Sequence, residues 1–327
     1  MKTQRLLLWL GLAMALQSCA VTREPAVAFA PPLVADQSSR APDNYALDNL
    51  NAVTWSRTSA EARALYLQGF AAAGAALDQA LSPSNRASWT AAIEQTGDFS
   101  KLPPAIIVDV DETLLDTSDY MLDQIRSGRG YEKPTWNRYV QRQDAPALPG
   151  AVEFLTQAAA RGVTVFYVSN RGVFDEAEEA RKPEAERLYD EDEPTRVNLQ
   201  RLGFPNTSNK STFLFRDASR GWKEKGPRRA EIARTHRIIM LVGDNLYDLI
   251  DVDPPTRQTR QTRDDALDAH AGWLGSRWII LPNPMYGSWD VLFTAGKTGA
   301  DARRAKLEAI GMPGPVADKI ATGGFEP

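Results

Sequence analysis

The chain has 327 residues, of which 43% are hydrophobic and 24% charged, and its formal net charge is −4. This length allows a large buried core, and the slight acidic excess argues against binding to a nucleic-acid polymer, which needs a basic surface. One cysteine and two histidines exclude an intrachain disulfide and a zinc site made of cysteine and histidine. His236 and His270 stand among polar residues and are expected to have no catalytic role.

Residues 1–18 are typical of a signal peptide. Lys2 and Arg5 give a positively charged start, and residues 6–16 form an apolar run that is too short to span a bilayer stably as a helix. The sequence therefore predicts a protein that is exported from the cytoplasm.

The only cysteine closes this segment. Residues 16–19, Leu-Gln-Ser-Cys, resemble a bacterial lipobox, which implies cleavage before Cys19 and acylation of its thiol. A plain secretory signal with a chance cysteine is the alternative. An acylated Cys19 would anchor the protein to a membrane of the cell envelope, the outer membrane if the host is Gram-negative. Residues 19–44 then form the lipidated cysteine and a flexible tether.

The next part of the chain, residues 45–100, is predicted to be an N-terminal helical segment. Apolar residues recur at helical spacing up to residue 81, and Ser59 is suited to cap a helix. A further helix is expected at residues 85–95.

From residue 101 the pattern changes to strands alternating with helices. Short, continuous apolar runs predict buried strands at residues 105–109, 163–168, 212–215, 238–242 and 278–281. Helices are predicted between several of them, at residues 150–161, 195–202 and 225–234. This alternation predicts an α/β fold with a parallel sheet covered on both faces.

We assign residues 101–290 to this core and residues 291–327 to a C-terminal helix, ending near residue 310, followed by a tail. Within the core, the acidic segment (residues 176–193) is strongly charged. We expect it to form a solvated helix or excursion without a binding role.

Polar side chains collect at the predicted carboxyl ends of the strands, where open sheets of this kind bind their ligands. These side chains belong to Asp109, Asp111, Ser169, Asn170, Asp244 and Asp248. Clustered carboxylates at a buried strand end are costly unless a cation offsets their charge, and Mg²⁺ prefers a few carboxylates with water and phosphate. Lys225 or Lys223, before a helix, could neutralise a phosphate.

The motif Asp109-x-Asp111-x-Thr113 resembles the first motif of the haloacid dehalogenase (HAD) superfamily, and residues 166–171 and 242–248 resemble its second and fourth. The combination is most similar to the class C acid phosphatases, the bacterial lipoprotein 5′-nucleotidases. The resemblance implies a HAD-like Rossmannoid parallel sheet with helices on both faces. It also implies a smaller, mainly helical domain made from the N-terminal segment and insertions.

The resemblance further implies a reaction at two carboxylates. Asp109 would attack phosphorus to form an aspartyl-phosphate, and Asp111 would act first as acid and then as base. A Mg²⁺ ion would lie between Asp109, the backbone carbonyl of Asp111, and Asp244, with Asp248 holding its water ligands.

Four further residues take roles by the same resemblance. Lys225, with Lys223 left open, would stabilise the phosphoryl charge, and Ser169 and Asn170 would bind its oxygens. Trp136 and Tyr286 fall where the family places two aromatic rings that sandwich a nucleobase. Simple core packing of these two rings is the alternative.

The sequence thus predicts a phosphomonoesterase that hydrolyses small phosphomonoesters, nucleoside monophosphates above all. Two alternatives remain: an envelope lipoprotein with a binding or adhesin role, and a HAD phosphatase acting on sugar phosphates. The oligomeric state stays open, with a homodimer among the options.

Overall fold

The computed structural model describes residues 44–252 and 258–322, so the signal peptide and Cys19 lie outside the described residues. Its strands are Pro104–Val108 (β1), Thr164–Gly172 (β2), Phe213–Arg216 (β3), Arg237–Gly243 (β4) and Trp278–Ile280 (β5). They form one parallel sheet in the order β3-β2-β1-β4-β5. The predicted parallel α/β sheet is confirmed.

The described part of the chain also contains α-helices. They are Leu50–Thr58 (α1), Ala60–Leu81 (α2), Ser118–Ser127 (α3), Lys133–Gln141 (α4), Ala151–Ala160 (α5), Glu176–Glu179 (α6), Asp192–Arg201 (α7), Lys225–Ala233 (α8), Leu246–Leu249 (α9), Arg260–Asp268 (α10), Ser288–Thr294 (α11), Gly299–Ala309 (α12) and Gly314–Ala321 (α13). Within the described ranges, none of them has both the length and the hydrophobicity needed to cross a membrane.

Alternating side chains of the strands bury both faces of the sheet. In β1, Ile106 and Val108 pack on the side of α2 and α5, whereas Ala105 and Ile107 pack on the side of α8. The continuous apolar runs seen in the sequence therefore reflect two buried faces, as expected for a parallel sheet covered by helices.

A third apolar cluster forms the smaller helical part of the molecule. It joins α1, α3 and α4 to the loop after β5, and it is built from Val53, Tyr120, Met121, Trp136, Tyr139, Val140 and Met285. Because α3 and α4 are inserted directly after the first strand, this cluster lies beside the carboxyl ends of the strands.

Ser59 caps α2 as expected, since its side chain accepts a hydrogen bond from the backbone of Ala62 at 3.0 Å. The prediction of a helix at residues 85–95 was wrong: a short 3₁₀ helix, Pro83–Asn85, ends where it was expected to begin, and turns follow. A register shift between β1 and β4 leaves Ile239 between paired positions, and the Trp89 indole donates to its carbonyl at 2.9 Å. This contact with a distant strand overrides the local helical pattern.

Two other expectations changed. Residues 314–321, expected to be tail, form α13. The acidic segment is mostly exposed, as expected, but Glu191 within it is completely buried. Both histidines have structural surroundings, because His236 packs edge-on against Phe166 and His270 stacks on Trp278.

Candidate active site

Neighbouring parallel strands bring three carboxylates together. Asp109 follows β1 and Asp244 follows β4, and the backbone of Asp109 donates to Val242 of β4 at 3.0 Å. Asp248 lies on α9 and is folded back by its bond from the backbone of Asn245 at 2.9 Å. As a result, carboxylate oxygens of Asp109, Asp244 and Asp248 all lie within 4.8 Å of one another.

Glycine at position 243 makes this close approach possible. A Cβ atom placed there would lie 2.3 Å from the Cβ of Asp248, which is far inside van der Waals contact. Any other residue at Gly243 would push α9 and Asp248 away from the other two carboxylates.

The cluster is electrostatically unfavourable without a cation. Burial raises the pKa of Asp109 to about 7, with Lys225 opposing this shift and Asp248 adding to it. Burial and the charges of Asp248 and Asp109 raise the pKa of Asp244 well above its usual range. A divalent cation with a preference for oxygen ligands would stabilise the ionised forms, so the donor set fits such an ion.

One buried lysine completes the cluster. Lys225, at the start of α8, contacts Asp109, and its Nζ lies 2.7 Å from Asp248 Oδ1. Lys223 lies in the preceding loop with an exposed side chain. The structure therefore brings Lys225, and not Lys223, to the carboxylates.

Ser169 and Asn170 lie within β2, which runs four residues further than the predicted strand, to Gly172. Arg228, three residues after Lys225 on α8, donates to the Ser169 carbonyl and to Asn170 Oδ1, both at 2.6 Å. Because Asn170 Oδ1 is already an acceptor for Arg228, the amide nitrogen is the group left to donate to a phosphoryl oxygen.

Asp111 lies at the margin of the cluster and is held by Arg171. The guanidinium makes a forked contact, with Nη2 at 2.7 Å from Asp111 Oδ1 and Nε at 3.2 Å from Oδ2. Nε also lies 3.1 Å from Oδ1, so Oδ1 accepts two hydrogen bonds from Arg171 and Oδ2 accepts one. Sequence reasoning did not assign Arg171 or Arg228 a function, although both lie within three residues of predicted site residues.

Glu112, between Asp111 and Thr113 in the chain, has a left-handed backbone conformation (φ 52°) and a buried side chain. Its carboxylate accepts from the Thr117 hydroxyl at 2.6 Å and from the Tyr286 hydroxyl. Glu112 therefore fixes Tyr286 to the loop that follows β1, a contact that the sequence did not predict.

Trp136 belongs to the third apolar cluster, and Tyr286 packs against that cluster. Trp136 is only 7% exposed as a residue, and its ring centroid lies 5.1 Å from that of Tyr120. The Arg171 guanidinium lies 5.8 Å from the centroid of the Trp136 ring. The two aromatic residues predicted from the family resemblance are thus brought to the same side of the site.

Comparisons with known proteins match most of the chain. A family model described as HAD superfamily, subfamily IIIB (acid phosphatase), matches residues 38–289. The crystal structure of the class C acid phosphatase from Bacillus anthracis with tungstate bound is 28% identical, with a TM-score of 0.62, covering 86% of this chain and 98% of that one. A second structure of the class C acid phosphatase from the same organism is 27% identical, with a TM-score of 0.62 and coverage of 87% and 99%.

Proposed function

We propose that this protein is a Mg²⁺-dependent 5′-nucleotidase of the cell envelope. The chain belongs to the acid phosphatases of HAD subfamily IIIB and is therefore a phosphomonoesterase. The observation that carries the chemistry is the cluster of Asp109, Asp244 and Asp248, with Lys225 in contact with the two buried members, Asp109 and Asp248. Such a group suits a cation and a phosphoryl dianion better than any apolar ligand.

In the proposed first step, a carboxylate oxygen of Asp109 attacks phosphorus and the bond to the leaving oxygen breaks. Asp111 gives a proton to that leaving oxygen. In the second step, Asp111 takes a proton from a water molecule, which attacks the phosphorus of the aspartyl-phosphate and releases inorganic phosphate and free Asp109.

The surrounding side chains orient these steps. Lys225 stabilises the negative charge on the phosphoryl group, the Ser169 hydroxyl and the Asn170 amide donate to its oxygens, and Arg171 orients Asp111. Bound Mg²⁺ would be held by Asp109, the Asp111 carbonyl, Asp244 and Asp248, and it supplies charge stabilisation for the transferred group.

The nucleotide preference rests on Trp136 and Tyr286. Replacing either residue with alanine should remove stacking of about 1–3 kcal/mol for a nucleobase. The loss should appear with nucleoside monophosphates and be small with glycerol phosphate. Equal losses for both substrates would point to damaged packing and against a stacked base.

The decisive test of the function is a turnover panel with and without Mg²⁺. It contains nucleoside monophosphates, nicotinamide mononucleotide, sugar phosphates and an aryl phosphate. We expect Mg²⁺-dependent turnover that is fastest for the nucleotides. Preference for sugar phosphates would favour the alternative HAD phosphatase, and no turnover of any ester would favour a binding or adhesin role.

The envelope location is supported by the sequence of residues 1–19 alone. If Cys19 is acylated, the protein should fractionate with membranes, and Cys19→Ala should release it or block its processing. Unchanged membrane fractionation of a Cys19→Ala protein whose signal peptide is still removed would show that the lipid anchor is absent.

A further inference from the structure

The acidic segment lies along α4, the helix that carries Trp136. Asn137 makes a reciprocal pair of hydrogen bonds with the backbone of Tyr189, each 2.7 Å long. One turn further, Gln141 donates to the carbonyl of Asp190 at 3.0 Å. Side chains of α4 thus bind the backbone of a segment whose charge alone predicted a solvated excursion.

Glu191 lies near the end of this segment and is completely buried. Its carboxylate accepts hydrogen bonds from Lys133 Nζ at 3.2 Å, from Asn137 Nδ2 at 2.9 Å and from the backbone of Gly172. Two of these donors are on α4 and the third is at the end of β2. Since a buried carboxylate is stable only when its oxygens are satisfied, Glu191 fixes α4 relative to β2.

The same residue also connects to the reactive side of the site. The Thr195 hydroxyl donates to the Glu191 carbonyl and accepts from Arg171 Nη1 at 2.9 Å. Arg171 in turn holds Asp111. A continuous chain of hydrogen bonds therefore runs from Asp111 to Glu191, and Glu191 joins it to α4.

A bound nucleotide would contact both α4 and β2, so the distance between these two elements would have to be fixed. Its phosphoryl group would bind at Ser169 and Asn170 on β2, and its base would reach Trp136, which lies between Lys133 and Asn137 on α4. A small ester such as glycerol phosphate would use the β2 side alone. A change in the spacing between α4 and β2 would therefore affect only the larger substrate.

We infer that Glu191 is a positioning residue for substrate specificity, which sets the distance between α4 and the phosphoryl-binding part of β2. The inference rests on the proposed function, because it takes Trp136 as a contact of the leaving group. It gives the acidic segment a role in selecting nucleotides over small phosphomonoesters.

The test is Glu191→Gln, which keeps the size of the side chain and removes its charge. Glu193→Gln is the matched control, since Glu193 is an exposed acid two residues away. For Glu191→Gln we expect KM for a nucleoside monophosphate to rise about tenfold, because weaker bonds to Lys133 and Asn137 let α4 shift and misplace Trp136. KM for glycerol phosphate, inhibition by inorganic phosphate, and all values for the control should stay near those of the unchanged protein.

An unchanged nucleotide KM, or equal losses for both substrates, would overturn the inference. If Glu191→Gln does not fold, the double variant Lys133→Met with Asn137→Ala removes the α4 donors to Glu191, together with the two bonds between Asn137 and Tyr189. It should give the same selective rise in KM. A rise for neither or for both substrates in that variant would equally overturn it.

Trp136→Ala, measured in parallel, separates this inference from the function on which it rests. If Trp136→Ala leaves nucleotide KM unchanged, the nucleotide function itself fails. If Trp136→Ala raises nucleotide KM and Glu191→Gln does not, only the positioning role of Glu191 fails.

Discussion

Lys225 bridges Asp109 and Asp248, with its Nζ 2.7 Å from Asp248 Oδ1 and in contact with Asp109 Oδ1. One buried cation thus offsets part of the charge of three clustered carboxylates. Removing it would leave these carboxylates with uncompensated charge and would also remove a positive group from the transferred phosphoryl.

Replacing Lys225 should therefore impair catalysis strongly. We expect Lys225→Met to lower kcat by about 10²–10³-fold, as for loss of one group that stabilises developing charge. Lys223→Met is the matched control, because the Lys223 side chain is exposed, and it should keep near-normal kcat. Steady-state kinetics on both purified variants decides the point, and equal losses would refute the assignment to Lys225.

The two aspartates of the first motif should fail differently as amides. Asp109→Asn removes the proposed attacking group and should abolish turnover of all substrates. Asp111→Asn keeps the nucleophile but removes the proton donor, so nucleotides should suffer more than an aryl phosphate, whose phenolate leaves with little help. Mass spectrometry after rapid quenching should detect a phosphoryl group on the peptide carrying Asp109. Near-normal hydrolysis of nucleotides by pure Asp109→Asn would refute the mechanism.

Metal binding should stabilise the protein more at high pH. Burial raises the pKa of Asp109 to about 7, so without metal the folded state binds more protons than the unfolded chain between about pH 4 and about pH 7. Stability of the metal-free protein therefore falls as pH rises through that window. A bound cation favours the ionised carboxylates and reverses this loss, so the Mg²⁺-induced rise in Tm should be larger at about pH 8 than at about pH 5.

Differential scanning fluorimetry with added Mg²⁺ or a chelator measures this effect. Asp244→Asn removes one ligand and should abolish the shift at both pH values. A shift that is independent of pH, or that survives in Asp244→Asn, would contradict the proposed site.

Alanine substitution should be harmful at one glycine, where it reduces activity, and beneficial at another, where it raises stability. At Gly243 a Cβ would lie 2.3 Å from that of Asp248, so Gly243→Ala should displace Asp248 and reduce both Mg²⁺ binding and kcat. Gly74, within α2, has no atom within 4 Å of an added Cβ, and Gly74→Ala should stabilise the fold by about 0.5–1 kcal/mol. Urea unfolding and kinetics of both variants provide the measurement. Wild-type activity in Gly243→Ala would show that the close approach to Asp248 is unnecessary.

The strands were predicted well, because they leave a local pattern in the sequence. The continuous apolar runs predicted the strands, because both faces of a covered parallel sheet are buried. The failed helix at residues 85–95 shows the limit of this reasoning. There the carbonyl of Ile239, made available by a register shift in β4, binds Trp89, and no local pattern carries information about that distant strand.

The sequence by itself determined that Asp109 and Asp244 meet at one edge of the sheet, because parallel neighbouring strands end on the same side. Only the tertiary structure shows that Lys225, and not Lys223, contacts the cluster, since the sequence places both lysines close to the start of the same helix. It also decided that Glu191, one acid among many in an acidic segment, is buried against α4. Burial of a charge depends on donors contributed by residues far away in the chain, and that arrangement exists only after folding.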